Sequence, residues 1–178
     1  AQSASYGAYL ASGIIQFFIY YTGSAWQGQL YTNRVFRDPS AWYHVVVIYN
    51  SGNAVINERV RMYVNGERVT DFSTETYPSQ NQDGIVGSNV NIGFGRYIAN
   101  ASNYFDGYLA EMHYINGYAY GPENFGEFNE NGIWIPKEFE GSYGTGGFKV
   151  DGRDSGDLGD DESGQGNDLT TSGLAAHD

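Results

Sequence analysis

Residues 58–64 (ERVRMYV) alternate charged with apolar side chains and run directly into Asn65-Gly66. A period of two places Val60, Met62 and Val64 on the inward face of a strand. Asn-Gly is the strongest two-residue hairpin signal, because the turn that matches strand twist needs positive φ at both central positions. A return strand is expected over residues 67–72. This single stretch commits the middle of the chain to antiparallel β structure.

The remaining punctuation agrees. Residues 13–21 (GIIQFFIYY) form a β-branched and aromatic run closed by Thr22-Gly23-Ser24, which favours a strand by length and residue type. A short strand is expected at 29–32 and a turn at Arg37-Asp38-Pro39-Ser40, where Pro presets φ and Asp bonds its own downstream backbone. Residues 42–49 (WYHVVVIY) are apolar at nearly every position, so both faces of that strand are expected to be covered. A long polar loop is expected over 73–88, strands over 89–96 and 105–114, a turn at Asn116-Gly117, and one helical turn within 122–128. No segment sustains a 3.6-residue period. The expected fold class is all-β, a two-sheet antiparallel β-sandwich or jelly roll.

The 178 residues include no Cys, which removes disulfides, thiolate metal sites and Cys nucleophiles. The net charge is −12, with 9 Lys+Arg against 21 Asp+Glu. So few basic groups make a poor partner for nucleic acid or anionic lipid. No stretch approaches the roughly 20 apolar residues of a membrane-spanning helix, so membrane insertion is not expected. The acidity is uneven. Residues 1–150 carry 13 acidic and 8 basic groups, and residues 151–178 carry 8 acidic and 1 basic. That last segment has no aromatic residue and little to bury against its ordering entropy. The chain is therefore divided into a β-sandwich over 1–135 and a Gly/Asp-rich C-terminal extension over 136–178, a linker or the start of a further domain.

Four segments stand in a telling order: Trp42-Tyr43-His44-Val45, Tyr63-Val64-Asn65-Gly66, Asn91-Ile92-Gly93 and Phe105-Asp106-Gly107-Tyr108-Leu109-Ala110-Glu111-Met112. Together, over roughly residues 14–120, they resemble the laminin-G/pentraxin-like branch of the concanavalin A-like lectin/glucanase superfamily. The continuation Ile133-Trp134-Ile135-Pro136-Lys137 and Gly141-Ser142-Tyr143-Gly144 resembles the version carried by virion and tail-fibre proteins of marine bacteriophages. Two features depart from the family pattern. Nothing before Ile14 matches the aromatic-rich opening strand. A D-x-S-G-x-G-N-like turn, which often stands near the start of such domains, here lies at residues 161–168. The resemblance implies a concanavalin A-like jelly roll and a lectin-like task.

Candidate sites follow from residue chemistry. Trp26 and residues 97–106 (YIANASNYFD) mix aromatic rings with amides and a carboxylate. A ring offers a flat apolar face to a sugar, and polar neighbours select hydroxyls. The ligand-binding candidates are Trp26, Tyr97, Asn100, Asn103, Tyr104 and Asp106. The competing reading is subunit contact, which Tyr also suits. Trp42 and His44 share strand parity and are expected to pack in the core, with a hydrogen-bonded imidazole. Asp106 and Glu111 invite comparison with a glycosidase acid–base pair, but an offset of five puts them on opposite strand faces, and the superfamily's catalytic E-x-D-x-E is absent. No catalytic residue is assigned and no enzyme is expected. Asp157, Asp160, Asp161 and Asn167 offer hard oxygen ligands of the kind Ca²⁺ takes, although no EF-hand loop is present. The alternative for this segment is a solvated connector.

The expected function is a non-catalytic virion surface protein, part of a fibre, tail or capsid decoration. It would attach to carbohydrate or another cell-surface glycan, and would contact other virion proteins as a homo-oligomer at the virion surface or outside the cell. A purely structural assembly module is the alternative, with a glycan hydrolase more distant.

Overall fold

The computed structural model describes residues 4–21, 28–82, 105–171 and 173. The chain forms two compact units, one of residues Ala1–Ile85 and Ala119–Glu140, the other of Val86–Tyr118 and Gly141–Asp178. Residues 136–140 thus group with the first unit and 141–178 with the second. The described residues build four small antiparallel sheets and two short 3-10 turns, an all-β architecture.

In the first unit, β1 (Ala4–Ala11) pairs along its whole length with β2 (Ile14–Tyr21). Their turn is Ser12-Gly13, with φ of 53° and 81°, the backbone that a tight hairpin requires. β3 (Gly28–Thr32) follows beside β2, and β7 (Phe72–Thr76) completes the order β1-β2-β3-β7. On β2 the residues Ile15, Phe17, Phe18 and Ile19 are all buried. Adjacent strand residues face opposite ways, so both faces of β2 are covered around Phe17 and Phe18. Leu30 lies fully inside. The β3–β7 register shifts between Tyr31 and Thr32. There the buried Thr32 hydroxyl accepts the Ile15 N–H at 3.1 Å and donates to the Arg34 carbonyl at 2.9 Å, so it is satisfied without the ladder.

The second sheet contains β4 (Val45–Tyr49), β5 (Val60–Val64) and β6 (Glu67–Arg68). Val60, Met62 and Val64 are buried, as the alternation requires. Asn65 and Gly66 adopt φ of 50° and 79° and close the β5–β6 hairpin. Arg59, one residue before β5, is buried too. It donates to the carbonyls of Asn53, Pro78 and Ala54 at 2.9, 2.9 and 3.3 Å. Its charge thus ties the 53–58 segment, with its 3-10 turn Ile56–Glu58, to Pro78. The third sheet is the hairpin of β9 (Gly126–Phe128) and β10 (Trp134–Pro136). Asn129 closes it by accepting the N–H groups of Asn131 and Ile133 on its side-chain oxygen, at 3.0 and 2.9 Å.

In the second unit, β8 (Met112–Tyr114) pairs with β11 (Phe148–Val150). Phe148 and Val150 are buried, and Phe148 packs against Tyr114 with centroids 5.5 Å apart.

Several expectations change. No strand is expected before Ile14, yet residues 4–11 pair along the whole of β2 as β1, because β structure depends on the neighbouring strand as well as on intrinsic preference. The polar stretch expected as a loop over 73–88 begins as β7. A strand of an antiparallel sheet needs only one covered face, and Ser73 and Glu75 are exposed while Phe72, Thr74 and Thr76 are half-buried. The expectation that 42–49 is covered on both faces does not hold. Trp42 is 66% exposed and Val45 39%, and of β4 only Ile48 is buried. Among the described residues β4 ends its sheet's order, so it has a neighbour on one side. The expected strand 105–114 is a ladder only over Met112–Tyr114. The one helical turn is the 3-10 turn Pro122–Asn124. The strand expected over 89–96 lies outside the described residues.

Candidate functional site

Of the ligand-binding candidates, Trp26, Tyr97, Asn100, Asn103 and Tyr104 lie outside the described residues, and Asp106 lies within them. Asp106 is exposed and sits in a run of exposed residues. Phe105 is 43% exposed, Tyr108 82% and Leu109 51%. Gly107 lets the chain pass beneath the Phe105 ring, since a Cβ there would meet the ring at 2.9 Å. The result is a short exposed ledge in which a carboxylate stands between two aromatic residues in the sequence. Such a ledge suits a ligand with an apolar face and hydroxyl donors. Tyr108, its most exposed ring, was not singled out by sequence. The signal was its place two residues after Asp106 across a glycine.

The ledge runs into Glu111, whose backbone is left-handed with φ of 46°. Its carboxylate pairs with Arg153 at 3.1 Å, and Arg153 also meets Asp151 at 3.3 Å. Lys149 lies 3.9 Å from the same Asp151 carboxylate. Glu111 is therefore part of an ion-pair network anchoring β8 to the segment after β11. On β8, His113 Nδ1 and the Tyr143 hydroxyl are 2.9 Å apart, with rings 7° from parallel.

The metal-site candidates do not converge as four ligands. Asp161 Oδ1 accepts the N–H groups of Lys149 and Ser163, each at 2.9 Å, and Oδ2 accepts the Asn167 N–H at 2.9 Å. Asn167 donates its side-chain amide to the carbonyls of Thr145 and Gly147, at 3.1 and 2.8 Å. Asp161 and Asn167 thus come together as a knot fastening residues 161–167 to the approach of β11. Asp157 turns its carboxylate to the Gly159 N–H at 3.0 Å, and its carbonyl accepts the Asp160 N–H at 3.1 Å. Among the described residues no three His, Asp or Glu side chains are grouped to hold a metal. Burial alone pushes the Asp161 carboxyl up. The hydrogen bonds from Ser163, Asn167 and Lys149 outweigh it and hold the group below its ordinary value. Within the acidic segment, residues 157–167 are thereby held through polar bonds.

A second cluster lies in the first unit. His44 and Asn65 exchange bonds across the hairpin: the His44 N–H donates to Asn65 Oδ1, and the Asn65 N–H donates to the His44 carbonyl, both at 2.8 Å. The Trp134 Nε1–H donates to His44 Nδ1 at 3.1 Å, with the rings 26° from parallel. The indole lies against Gly66 and Gly126, where any Cβ would collide with it, and meets Phe128 edge-on at 5.0 Å. Phe125 lies 6.4 Å from His44 and stacks on Phe139 at 4.7 Å. His44 is therefore hydrogen-bonded as expected, although the exposed Trp42 does not share its environment. The partner Trp134 is 90 residues away in the chain, beyond any local pattern.

A family model described as Laminin_G_3, concanavalin A-like lectin/glucanases superfamily, matches residues 1–121, from before β1 to just short of the Pro122–Asn124 turn. No curated protein and no solved structure matches the chain. Among the described residues no helix is long and apolar enough to cross a membrane.

Proposed function

Because the chain belongs to the concanavalin A-like lectin/glucanases superfamily, we propose that it is a non-catalytic recognition module that attaches to carbohydrate at a surface. The observation that carries this reading is the exposed ledge of Phe105, Asp106 and Tyr108. Exposed apolar groups gathered beside polar ones mark interaction surfaces, and an aromatic face with a carboxylate beside it suits a sugar ring. Trp26, Tyr97, Asn100, Asn103 and Tyr104 extend the same chemistry in sequence. In this reading the sheets form a two-layer sandwich, and the module is displayed in many copies on a virion as part of a fibre, tail or capsid decoration. Weak sites gain avidity from that repetition.

The test is a glycan array probed with the full chain and with Tyr108→Ala. Binding to a defined glycan that the variant loses supports the reading. A blank array, from protein presented at high valency, overturns it. The exposed Trp42, Phe128 and Ile133 favour a second reading, an assembly module making subunit contacts without a ligand. Assembly that fails in Trp42→Ala while the array stays blank selects it. Turnover of any polysaccharide, lost in Glu111→Gln, would replace both with a hydrolase. Titration calorimetry with Ca²⁺ tests residues 157–168 as a cation site, and no heat together with an unchanged melting temperature in EDTA removes calcium.

A further inference from the structure

We propose that His44 and Trp134 form an acid-opened clamp that holds the β9–β10 hairpin onto the Asn65-Gly66 turn. Indole Nε1 carries a proton and can only donate. The 3.1 Å bond to His44 Nδ1 therefore requires a lone pair on Nδ1, which means a neutral imidazole with its proton on Nε2. A second proton would enter at Nδ1. Two N–H donors would then face each other, and the bond cannot survive. Imidazole is the side chain whose ordinary titration, at about pH 6.5, makes this change near neutrality.

The contact is placed to matter. Trp134 is the β10 residue that lies over Gly66, and it pairs in register with Phe128 of β9. The backbone of His44 is bonded to Asn65 in both directions, so the imidazole is fixed to the turn that the indole covers. Ionisable groups on the packed elements are Tyr43 beside His44, Tyr49 on β4, Arg61, Tyr63, Glu67 and Arg68 on β5 and β6, Glu127 on β9, Glu130 in the β9–β10 turn, Glu123 on the 3-10 turn, and Lys137 and Glu138 after β10. Arg68 and Arg61 lie 2.7 and 3.9 Å from Glu58. Lys137 reaches the Glu123 carbonyl at 3.5 Å, and the Asn124 amide takes the Glu123 carboxylate at 3.1 Å. Glu127 alternates with Gly126 and Phe128 along β9, and so points away from the indole. At the imidazole Trp134 bonds Nδ1 and the Phe125 ring centroid lies 6.4 Å away, while Asn65 bonds the His44 backbone. The open form takes up a proton that the clamped form excludes, so acid favours opening.

The test follows the Trp134 indole N–H by proton–nitrogen NMR on the full chain from about pH 8 to about pH 5, with Trp26 and Trp42 assigned by single Phe substitutions. The expected result is one titration of the Trp134 signal with faster solvent exchange on the acid side. In His44→Gln the side-chain oxygen accepts the indole N–H but does not titrate, so the signal is expected to stay constant. A wild-type Trp134 signal that does not respond to pH overturns the proposal, as does a His44→Gln protein that titrates like wild type. The wild-type titration stands alone if the variant does not fold.

Discussion

The Asp161 carboxylate accepts the backbone N–H of Lys149 at 2.9 Å, in the middle of β11. A buried carboxylate in the acidic tail thus completes the hydrogen bonding of a strand twelve residues earlier, and the Glu162 N–H returns to the Lys149 carbonyl at 2.8 Å. Asp161→Ala leaves the N–H groups of Lys149, Ser163 and Asn167 without an acceptor. The expected loss is about 3 kcal/mol, since bonds to a charged group are the stronger kind and buried donors are costly to strand. Urea unfolding followed by circular dichroism measures it.

The same carboxyl gives a signed pH dependence. Its folded-state value lies below the ordinary 3.8, so its stabilisation is complete above the unfolded value. It disappears as the pH falls through the lower folded value. The stability gap between wild type and Asp161→Asn is therefore expected to be widest near neutrality and to shrink below about pH 4. A gap that stays constant in acid would contradict the assignment.

Gly66→Ala faces two obstacles. Gly66 has φ of 79°, and the Trp134 ring occupies the space a Cβ would need. Left-handed backbone alone costs an L-residue about 1–2 kcal/mol. A total above about 2 kcal/mol is expected once the indole is displaced. Gly117→Ala is the control, because Gly117 has φ of 87° but nothing within 4 Å of the added carbon. Denaturant midpoints of the two variants separate strain from collision.

Met62 is fully buried on β5. Met62→Ala is expected to cost about 2–5 kcal/mol through lost transfer energy and the cavity left behind. Thermal unfolding reads this directly.

Tyr108→Ala is expected to change stability by less than about 0.5 kcal/mol, because the ring is 82% exposed. Any loss of glycan binding in that variant then reports on recognition and not on folding. Paired melting curves and array signals make the distinction.

How much was legible depended on the range of the interaction. The hairpin at Asn65-Gly66 was readable because turn chemistry is local: two positive φ values need those residue types. The inward set Val60, Met62 and Val64 was readable because strand geometry converts a period of two into a face. An all-β chain followed from many such local signals agreeing. Arg59 was not readable as buried, since its three acceptors are carbonyls at Asn53, Ala54 and Pro78 and a charge pattern does not encode carbonyl positions. Trp42 read as core because it is large and apolar, yet burial needs a neighbour to cover it. β1 went unassigned, because its strand character depends on pairing with β2. At the candidate site, composition drew attention to Asp106, while the exposure of Tyr108 emerged only with the path of the backbone over Gly107. The amino-acid sequence by itself determined where strands turn and which of their faces is apolar, because both are properties of a few consecutive residues. Only the tertiary structure decided which polar groups satisfy one another, as Asp161 does Lys149 and His44 does Trp134. Those pairings require distant segments to meet within about 3 Å, and no local pattern specifies that distance.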